Sequence, residues 1–151
     1  MAVSRALRRL LQIRDLEEEQ SRVAVESARL RLHDLEGRLK AVCTRERQGR
    51  DLVETSVRTG ELTDRQAGAI EVETARRQGA ALEPRIVAGR REAAQLQEAY
   101  LVKRVERRQA QTLVERIEAQ EAAEGVRREQ GNLDDWFRGR KYRSETDADA
   151  D

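Results

Sequence analysis

The sequence is short of the residues that cross-link a chain or anchor it to a membrane. It contains one cysteine, Cys43, so no intrachain disulfide can form. Charged and polar residues interrupt the N-terminal apolar pattern soon after Leu11, too early for a signal peptide or a membrane span. We therefore expect a cytoplasmic protein with a reduced thiol.

Side chains suited to catalysis or metal binding are also scarce. Cys43 and the single histidine, His33, fall on flanking or outward positions of the helical pattern described below, and a zinc site normally needs three or four ligands. The glycines are too widely separated to form a phosphate-binding loop. The run Glu17-Glu18-Glu19 points in different directions on a helix, which favours a solvated face over a metal cluster. We expect no enzymatic activity, no cofactor and no metal.

What the chain does have is charge. Charged residues make up 39% of it and aromatic residues 3%, a balance typical of long helices that bury a narrow apolar seam. Lysine and arginine together number 30 against 29 acidic residues, so the overall charge gives no sign of a nucleic-acid coat. The apolar residues are regularly spaced, which favours ordered helices over disorder.

A heptad pattern predicts a first helix from about residue 3 to residue 57. Its positions are Leu7, Leu11, Arg14, Glu18, Ser21, Val25, Ala28, Leu32, Leu35, Leu39, Val42, Glu46, Gly49 and Val53. A second stripe, Ile13, Leu16, Val23 and Leu30, competes with this frame near the N-terminus. The competition indicates either a wider apolar face or a stutter in the heptads.

A turn is predicted at about residues 58–63. Gly60 supplies the backbone freedom that a helix C-terminus needs, and Thr63 with Gln66 fits a capping box that starts a second helix. The second frame is Val72, Ala75, Gly79, Leu82, Ile86, Gly89, Ala93, Leu96, Tyr100, Lys103, Arg107, Ala110, Val114 and Ile117. The sequence thus predicts an all-α fold, a long two-helix antiparallel coiled-coil hairpin that forms a single domain over residues 1–143.

The second helix, predicted for about residues 64–137, contains weak points. Pro84 removes a backbone donor, and Gly79 and Gly89 each weaken the helix by roughly 1 kcal/mol, so we expect a bend or break near residue 84. This helix is also longer than the first, which leaves an unpaired overhang that includes residues 120–137. The small, acidic residues 144–151 are expected to be disordered.

Two basic clusters and one aromatic pair are candidate contact residues. The clusters are Arg5, Arg8, Arg9 and Arg14 near the start and Arg138, Arg140, Lys141 and Arg143 near the end. In an antiparallel hairpin both lie toward the open end, where they either form one positive end suited to an acidic protein or nucleic acid, or remain solvated charge. Trp136 and Phe137 either anchor an interface or fold back over the helix end.

Several segments follow one another in an order known from one protein family. They are the Leu7/Leu10/Ile13 spacing, Gly60-Glu61-Leu62-Thr63-Asp64, Gln111-Thr112-Leu113-Val114-Glu115-Arg116, Arg128-Glu129-Gln130 and Leu133-Asp134-Asp135-Trp136-Phe137. Over nearly its whole length the chain resembles the FliJ/YscO stalk proteins of bacterial flagellar and virulence type III export machines. The resemblance implies a coiled coil similar to that of the γ subunit of rotary ATPases.

The resemblance also implies a role and a set of contacts. The open end would insert into the hexameric export ATPase, promote its assembly and activity, and link it to the cytoplasmic domain of the export gate protein, with export chaperones as further partners and a location peripheral to the inner membrane. The implied ATPase contacts are Arg5, Arg8, Arg9, Gln111, Leu113, Arg116, Arg128, Trp136, Phe137, Arg138, Arg140 and Lys141. The implied gate contacts are Arg38, Val42, Arg45 and Gly49, which lack the aromatic residues of the flagellar members. No small-molecule substrate and no membrane insertion are expected.

Two other functions stay open on the sequence alone. A nucleic-acid-binding coiled coil would use the same basic clusters, although no stacking aromatics are distributed along the chain. A generic scaffold or chaperone-like hairpin would form a concentration-dependent dimer instead of remaining a monomer.

Overall fold

Two long helices make up the described part of the chain. A computed structural model describes residues 5–148 and, within them, the side chains of residues 5–141. Helix α1 is Arg5–Thr59 and helix α2 is Leu62–Ala148, with no β-strand among the described residues. The helices pack against each other as an all-α helical hairpin, which confirms the predicted fold class.

The turn between the helices depends on one glycine. Gly60 has a φ of 78°, a left-handed conformation that side chains with a Cβ adopt only at a cost. Its N–H donates to the carbonyl oxygen of Ser56 at 2.9 Å, which satisfies one of the last carbonyl groups of α1. The reversal predicted at residues 58–63 is therefore present, and Gly60 with Glu61 completes it.

The start of α2 differs from the predicted capping box. The helix already begins at Leu62, so Thr63 lies inside its first turn and the residue that precedes the helix is Glu61. The N–H of Arg65 donates to the Glu61 carbonyl oxygen at 3.3 Å, the first helical bond of α2. Asp64 is the acidic residue of the first turn, where a negative charge interacts favourably with the helix dipole. The capping role assigned to Thr63 is therefore wrong.

Helix α2 is continuous at Pro84, where a bend or a break was expected. It runs through Pro84 without a break, because a single backbone hydrogen bond is lost there while Leu82 and Ile86 pack into the seam on either side. The backbone of residues 144–148 is helical where disorder was expected, since neither Gly nor Pro follows Gly139 to interrupt the helical hydrogen bonds. The rest of the predicted disordered segment, residues 149–151, lies outside the described residues.

The two predicted heptad frames form the seam between the helices. Every position of the α1 frame from Leu7 to Val53, and of the α2 frame from Val72 to Ile117, is buried or half-buried. The competing stripe faces solvent, with Leu16 64% exposed and Leu30 71% exposed. The first frame therefore sets the register, and the second stripe is neither part of the seam nor a stutter in it.

Charged side chains occupy part of this seam near the N-terminus of α1. The guanidinium of Arg14 donates to the carboxylate of Glu106 at 2.7 Å, and both side chains are partly buried. Beside them, Arg107 donates to Asp15 at 2.7 Å. Here the helices are joined by ion pairs where the middle of the seam uses apolar contacts.

The chain divides into two compact units. The terminal unit comprises Met1–Leu16 and Arg104–Asp151, and the turn unit comprises Glu17–Lys103. Ion pairs join the two helices within the turn unit, and the α2 partner of a residue near the start of α1 lies farther along α2 than the partner of a residue near the turn. They include Arg31–Glu92 at 2.9 Å, Glu36–Arg90 at 2.8 Å and Arg45–Glu71 at 2.6 Å. Exposed pairs contribute only about 0.2–1 kcal/mol each, so they mainly specify the antiparallel register.

Near the turn the two helices approach backbone to backbone. A Cβ placed on Gly68 would lie 2.7 Å from the carbonyl oxygen of Gly49 and 2.9 Å from Cγ2 of Val53. A Cβ on Gly49 would lie 3.0 Å from the carbonyl oxygen of Gly68. Both glycines are buried, so any larger residue at either position must push the helices apart.

Candidate protein-binding surfaces

A groove with an apolar floor and a basic rim lies between the helices of the turn unit. It has a volume of about 460 Å³. It is lined by Arg38, Ala41, Val42 and Arg45 of α1 and by Gln78, Ala81, Leu82 and Arg85 of α2. We call it the basic-rimmed groove. Both helices supply residues at the spacing i, i+3, i+4 and i+7, which places each set of four on one helix face.

The floor of this groove follows from the heptad frame. Val42 and Leu82 are seam positions, whereas Ala41 and Ala81 flank the seam and are exposed. Because alanine has only a methyl side chain, the two flanking positions leave the seam side chains accessible from this face. The result is a concave apolar strip between two rows of longer side chains.

The rim is formed mainly by three arginines. A guanidinium nitrogen of Arg38 lies 2.9 Å from the carboxylate of Asp34, and Nε of Arg45 lies 2.6 Å from that of Glu71. Neither carboxylate lines the groove. Arg85 makes no ion pair with any described residue. The groove therefore has arginine side chains on both sides and no carboxylate in its lining.

Three of the four expected gate contacts meet in this groove. Arg38, Val42 and Arg45 line it together. Gly49 does not, because it is buried against Gly68 and Val72 and offers no surface to a partner. Arg85, on the α2 side of the groove, was not among the expected contacts. Its position beside the seam residue Leu82 in the heptad frame of α2 is the signal that could have identified it.

In the terminal unit, the first basic cluster surrounds an open concavity. Arg5, Arg8, Arg9 and Gln12 line a space of about 530 Å³, and all four side chains are exposed. The guanidinium of Arg8 lies 3.8 Å from the Glu118 carboxylate of α2. This surface suits an anionic group better than an apolar one.

The expected ATPase contacts in the middle of α2 differ in how available they are. Leu113, which is 48% exposed, and Arg116 line an open groove of about 500 Å³. Gln111 is half-buried and donates to the Glu115 carboxylate at 2.7 Å. Arg128 pairs with Glu124 at 3.3 Å. Leu113 and Arg116 thus offer a surface, whereas Gln111 is already engaged within the helix.

The aromatic pair near the end of α2 lies in the open. Trp136 is 53% exposed and Phe137 is 61% exposed. Their ring centroids are 5.1 Å apart with an interplanar angle of 79°, an edge-to-face contact, and the guanidinium of Arg140 lies 5.3 Å from the Trp136 centroid. Leu133, one turn earlier, is 56% exposed. These rings contact one another and Arg140, and they do not fold back to cover the helix end.

The two basic clusters do not combine into a single positive end, which was one of the two arrangements that the sequence left open. Arg8 faces Glu118, so Arg138 lies about 20 residues further along α2, or roughly 30 Å at the rise of a helix. Charges at that distance are screened, because the Debye length at physiological salt is about 8 Å. The first cluster and the segment Arg138, Arg140 and Lys141 are therefore two separate basic surfaces.

The single histidine and the single cysteine of the chain are both on the surface. His33 and Cys43 are exposed. Within residues 5–148 no three His, Cys, Asp or Glu side chains come together as a metal site, and neither described helix contains a stretch long and apolar enough to span a membrane. Comparison with protein-family models, with curated proteins and with solved structures gave no match for this chain.

Proposed function

We propose that this chain is the non-enzymatic central stalk of a bacterial type III protein export apparatus, flagellar or virulence-associated. The stalk inserts into the hexameric export ATPase, promotes its assembly and activity, and links it to the cytoplasmic domain of the export gate protein. Export chaperones are additional partners, and the protein is cytoplasmic and peripheral to the inner membrane. The proposal is supported by the helical hairpin together with the segments that resemble the FliJ/YscO family.

The exposed end of α2 is the observation that carries this proposal. Leu133, Trp136 and Phe137 are each more than half exposed. They lie on the part of α2 that extends past the described part of α1. Exposed aromatic residues beside an arginine are frequent anchors of protein interfaces. A ring of subunits around this helix would cover these side chains, which the described residues of the hairpin leave exposed.

Electrostatics provides a second source of support. The Arg5, Arg8 and Arg9 surface suits acidic loops, and such contacts between exposed charges weaken as salt rises. A hairpin also presents different side chains in different directions, so it favours some subunits of a ring over others without chemistry of its own. The ATPase would supply the catalysis.

Reconstitution with the export ATPase encoded in the same genome tests the proposal. We expect the purified chain to raise the ATPase rate and the fraction of hexamer, and the double variant W136A/F137A to bind at least about tenfold more weakly. R138E/R140E should weaken binding most at low salt. R91E, which reverses an exposed arginine in the turn unit, is the matched control and should behave like the parent chain.

Two results would contradict the stalk assignment. If the ATPase rate and ring formation do not respond to the chain, or if W136A/F137A acts like R91E, the exposed end of α2 is not an ATPase contact. The Arg5, Arg8 and Arg9 surface also suits a phosphate backbone. Steeply salt-dependent binding to duplex DNA without any effect on the ATPase would favour the nucleic-acid alternative.

A further inference from the structure

We propose that the basic-rimmed groove is a docking site for an acidic amphipathic helix of a partner protein. The two helices line the groove from opposite sides, and each contributes four residues at the spacing i, i+3, i+4 and i+7. This geometry suits a third helix, because the small side chains of Ala41 and Ala81 allow its axis to come close to both neighbours. The floor formed with Val42 and Leu82 accepts the apolar face of that helix.

The charge of the groove selects the partner. Two other grooves of similar construction occur in the turn unit, and both contain carboxylates. One is lined by Arg50, Val53, Glu54, Ala69, Val72, Glu73 and Arg76, and the other by Glu17, Gln20, Ser21, Ala24, Leu96, Ala99 and Lys103. The basic-rimmed groove has three arginines and no acidic residue in its lining. Among these three grooves the construction is shared, whereas a lining with arginines and no carboxylate is found only in the basic-rimmed groove. That charge is complementary to acidic residues flanking an apolar stripe.

Arg85 and Arg38 can turn toward such a partner. Arg45, in contrast, is held by Glu71 and Gln78. Arg85 makes no ion pair with any described residue. The pair Arg38–Asp34 is exposed on both sides, with 61% and 59% of the two side chains accessible. Exposed pairs of this kind are weak, so a carboxylate on the incoming helix replaces the intramolecular one at little cost. A nucleic acid fits less well, because its phosphates would face an apolar floor.

The identity of the protein that supplies this helix rests on the proposed function, since Arg38, Val42 and Arg45 are also the expected gate contacts. The chemistry of the groove stands on its own lining residues. The test therefore uses a designed probe in place of a natural partner. This is a labelled helical peptide of about 20 residues with leucines on one face and glutamates on both flanks of that face.

Fluorescence anisotropy with the full chain measures binding of this peptide. We expect binding that weakens as salt rises, and at least about tenfold weaker binding by a second peptide in which lysines replace the glutamates. R85E should weaken binding of the acidic peptide by about tenfold or more. R91E and R47E make the same charge change at exposed positions outside the groove and should leave binding unchanged.

A variant without a charge change tests the shape of the groove. A81L fills the groove with a residue of high helix propensity, so the hairpin should fold while binding of the peptide is lost. Circular dichroism of each variant checks that the helices persist. Equal binding of the acidic and basic peptides, or equal behaviour of R85E and R91E, would overturn the proposal. Self-association of the chain that competes with the peptide would assign the groove to a second copy instead.

The docking role of the groove and the stalk function can be disproved independently of each other. If the peptide binds as expected while the export ATPase shows no response to the chain, the groove assignment holds and the stalk proposal falls. If the ATPase responds while the acidic peptide does not bind, the reverse is true. R85E should also leave ATPase stimulation unchanged. Arg85 lies in the turn unit, whereas all the expected ATPase contacts lie in the terminal unit.

Discussion

Large apolar side chains of the seam are buried or half-buried in the part of α2 that faces α1, whereas those in the part beyond Gly125 are exposed. Ile86 is 4% exposed and Val114 is 8% exposed, whereas Val126 and Leu133 are 63% and 56% exposed. Both parts are helical. Burial is therefore needed to join the helices, while the helix itself continues on backbone hydrogen bonds and residues of good helix propensity.

Truncation of matched apolar side chains is the strongest test of this contrast. Ile86→Ala should lower the free energy of unfolding by about 2–4 kcal/mol, because it leaves a cavity in the seam. Leu133→Ala should change it by less than about 0.5 kcal/mol, because the leucine is already solvated. Urea unfolding followed by circular dichroism measures both. Equal losses would show that the end of α2 is packed after all.

Adding a methyl group at two glycines sharpens the same comparison. Gly68→Ala should destabilise the hairpin by about 1–3 kcal/mol, because its Cβ would lie 2.7 Å from the Gly49 carbonyl oxygen. Gly125→Ala meets no atom within 4 Å and should stabilise α2 by up to about 1 kcal/mol through helix propensity. Thermal unfolding distinguishes them. A stabilising Gly68→Ala would mean that the helices do not approach closely there.

The smallest effects concern pH, where two glutamates act in opposite directions. Hydrogen bonds donated by Arg76 and Arg50 hold the pKa of Glu46 below its ordinary value. Its contribution to stability is therefore present above the unfolded pKa and is lost as the pH falls below about 4. We expect E46Q to make unfolding less sensitive to acid, as measured by thermal melts across this range.

Glu61 provides the counterpart at the turn. A hydrogen bond with Asp64 and the negative charge of that residue raise the pKa of Glu61. Its contribution is therefore complete below its ordinary pKa and is lost as the pH rises through the raised value. E61Q should remove this loss, so its melting temperature should gain relative to the parent as the pH rises toward neutrality. If E61Q instead gained relative to the parent as the pH falls, as expected for E46Q, the assignment of Glu61 would be refuted.

The sequence predicts the seam well because the heptad repeat is a local property that is visible at each position. It does not decide between the main frame and the stripe through Ile13 and Leu16, since both are apolar and only packing against α2 separates them. The contact between Gly49 and Gly68 can be predicted only when the register of the two helices is known. The basic-rimmed groove is harder still, because Ala41, Ala81 and Arg85 look like ordinary solvated positions until both helices are in place.

A break in α2, one of the two outcomes expected near residue 84, is absent for a different reason. Pro84 is unfavourable in an isolated helix, but the neighbouring seam residues Leu82 and Ile86 hold the backbone on both sides of it. Tertiary packing therefore overrides a local preference at this position. At the C-terminal end, composition indicated disorder, whereas the absence of helix-breaking residues after Gly139 was the more informative feature.

The ion pair between Arg14 and Glu106 ties the lengths of the two helices together. Removing one heptad from α2 between the turn and Glu106 would preserve every apolar position of the frame, yet it would bring Leu113 to the place that Glu106 now holds. Arg14 would then be partly buried beside a leucine without its carboxylate, which is unfavourable. Insertions and deletions in one helix should therefore be accepted only when the other changes by the same number of residues, so the two halves of the hairpin are expected to vary in length together.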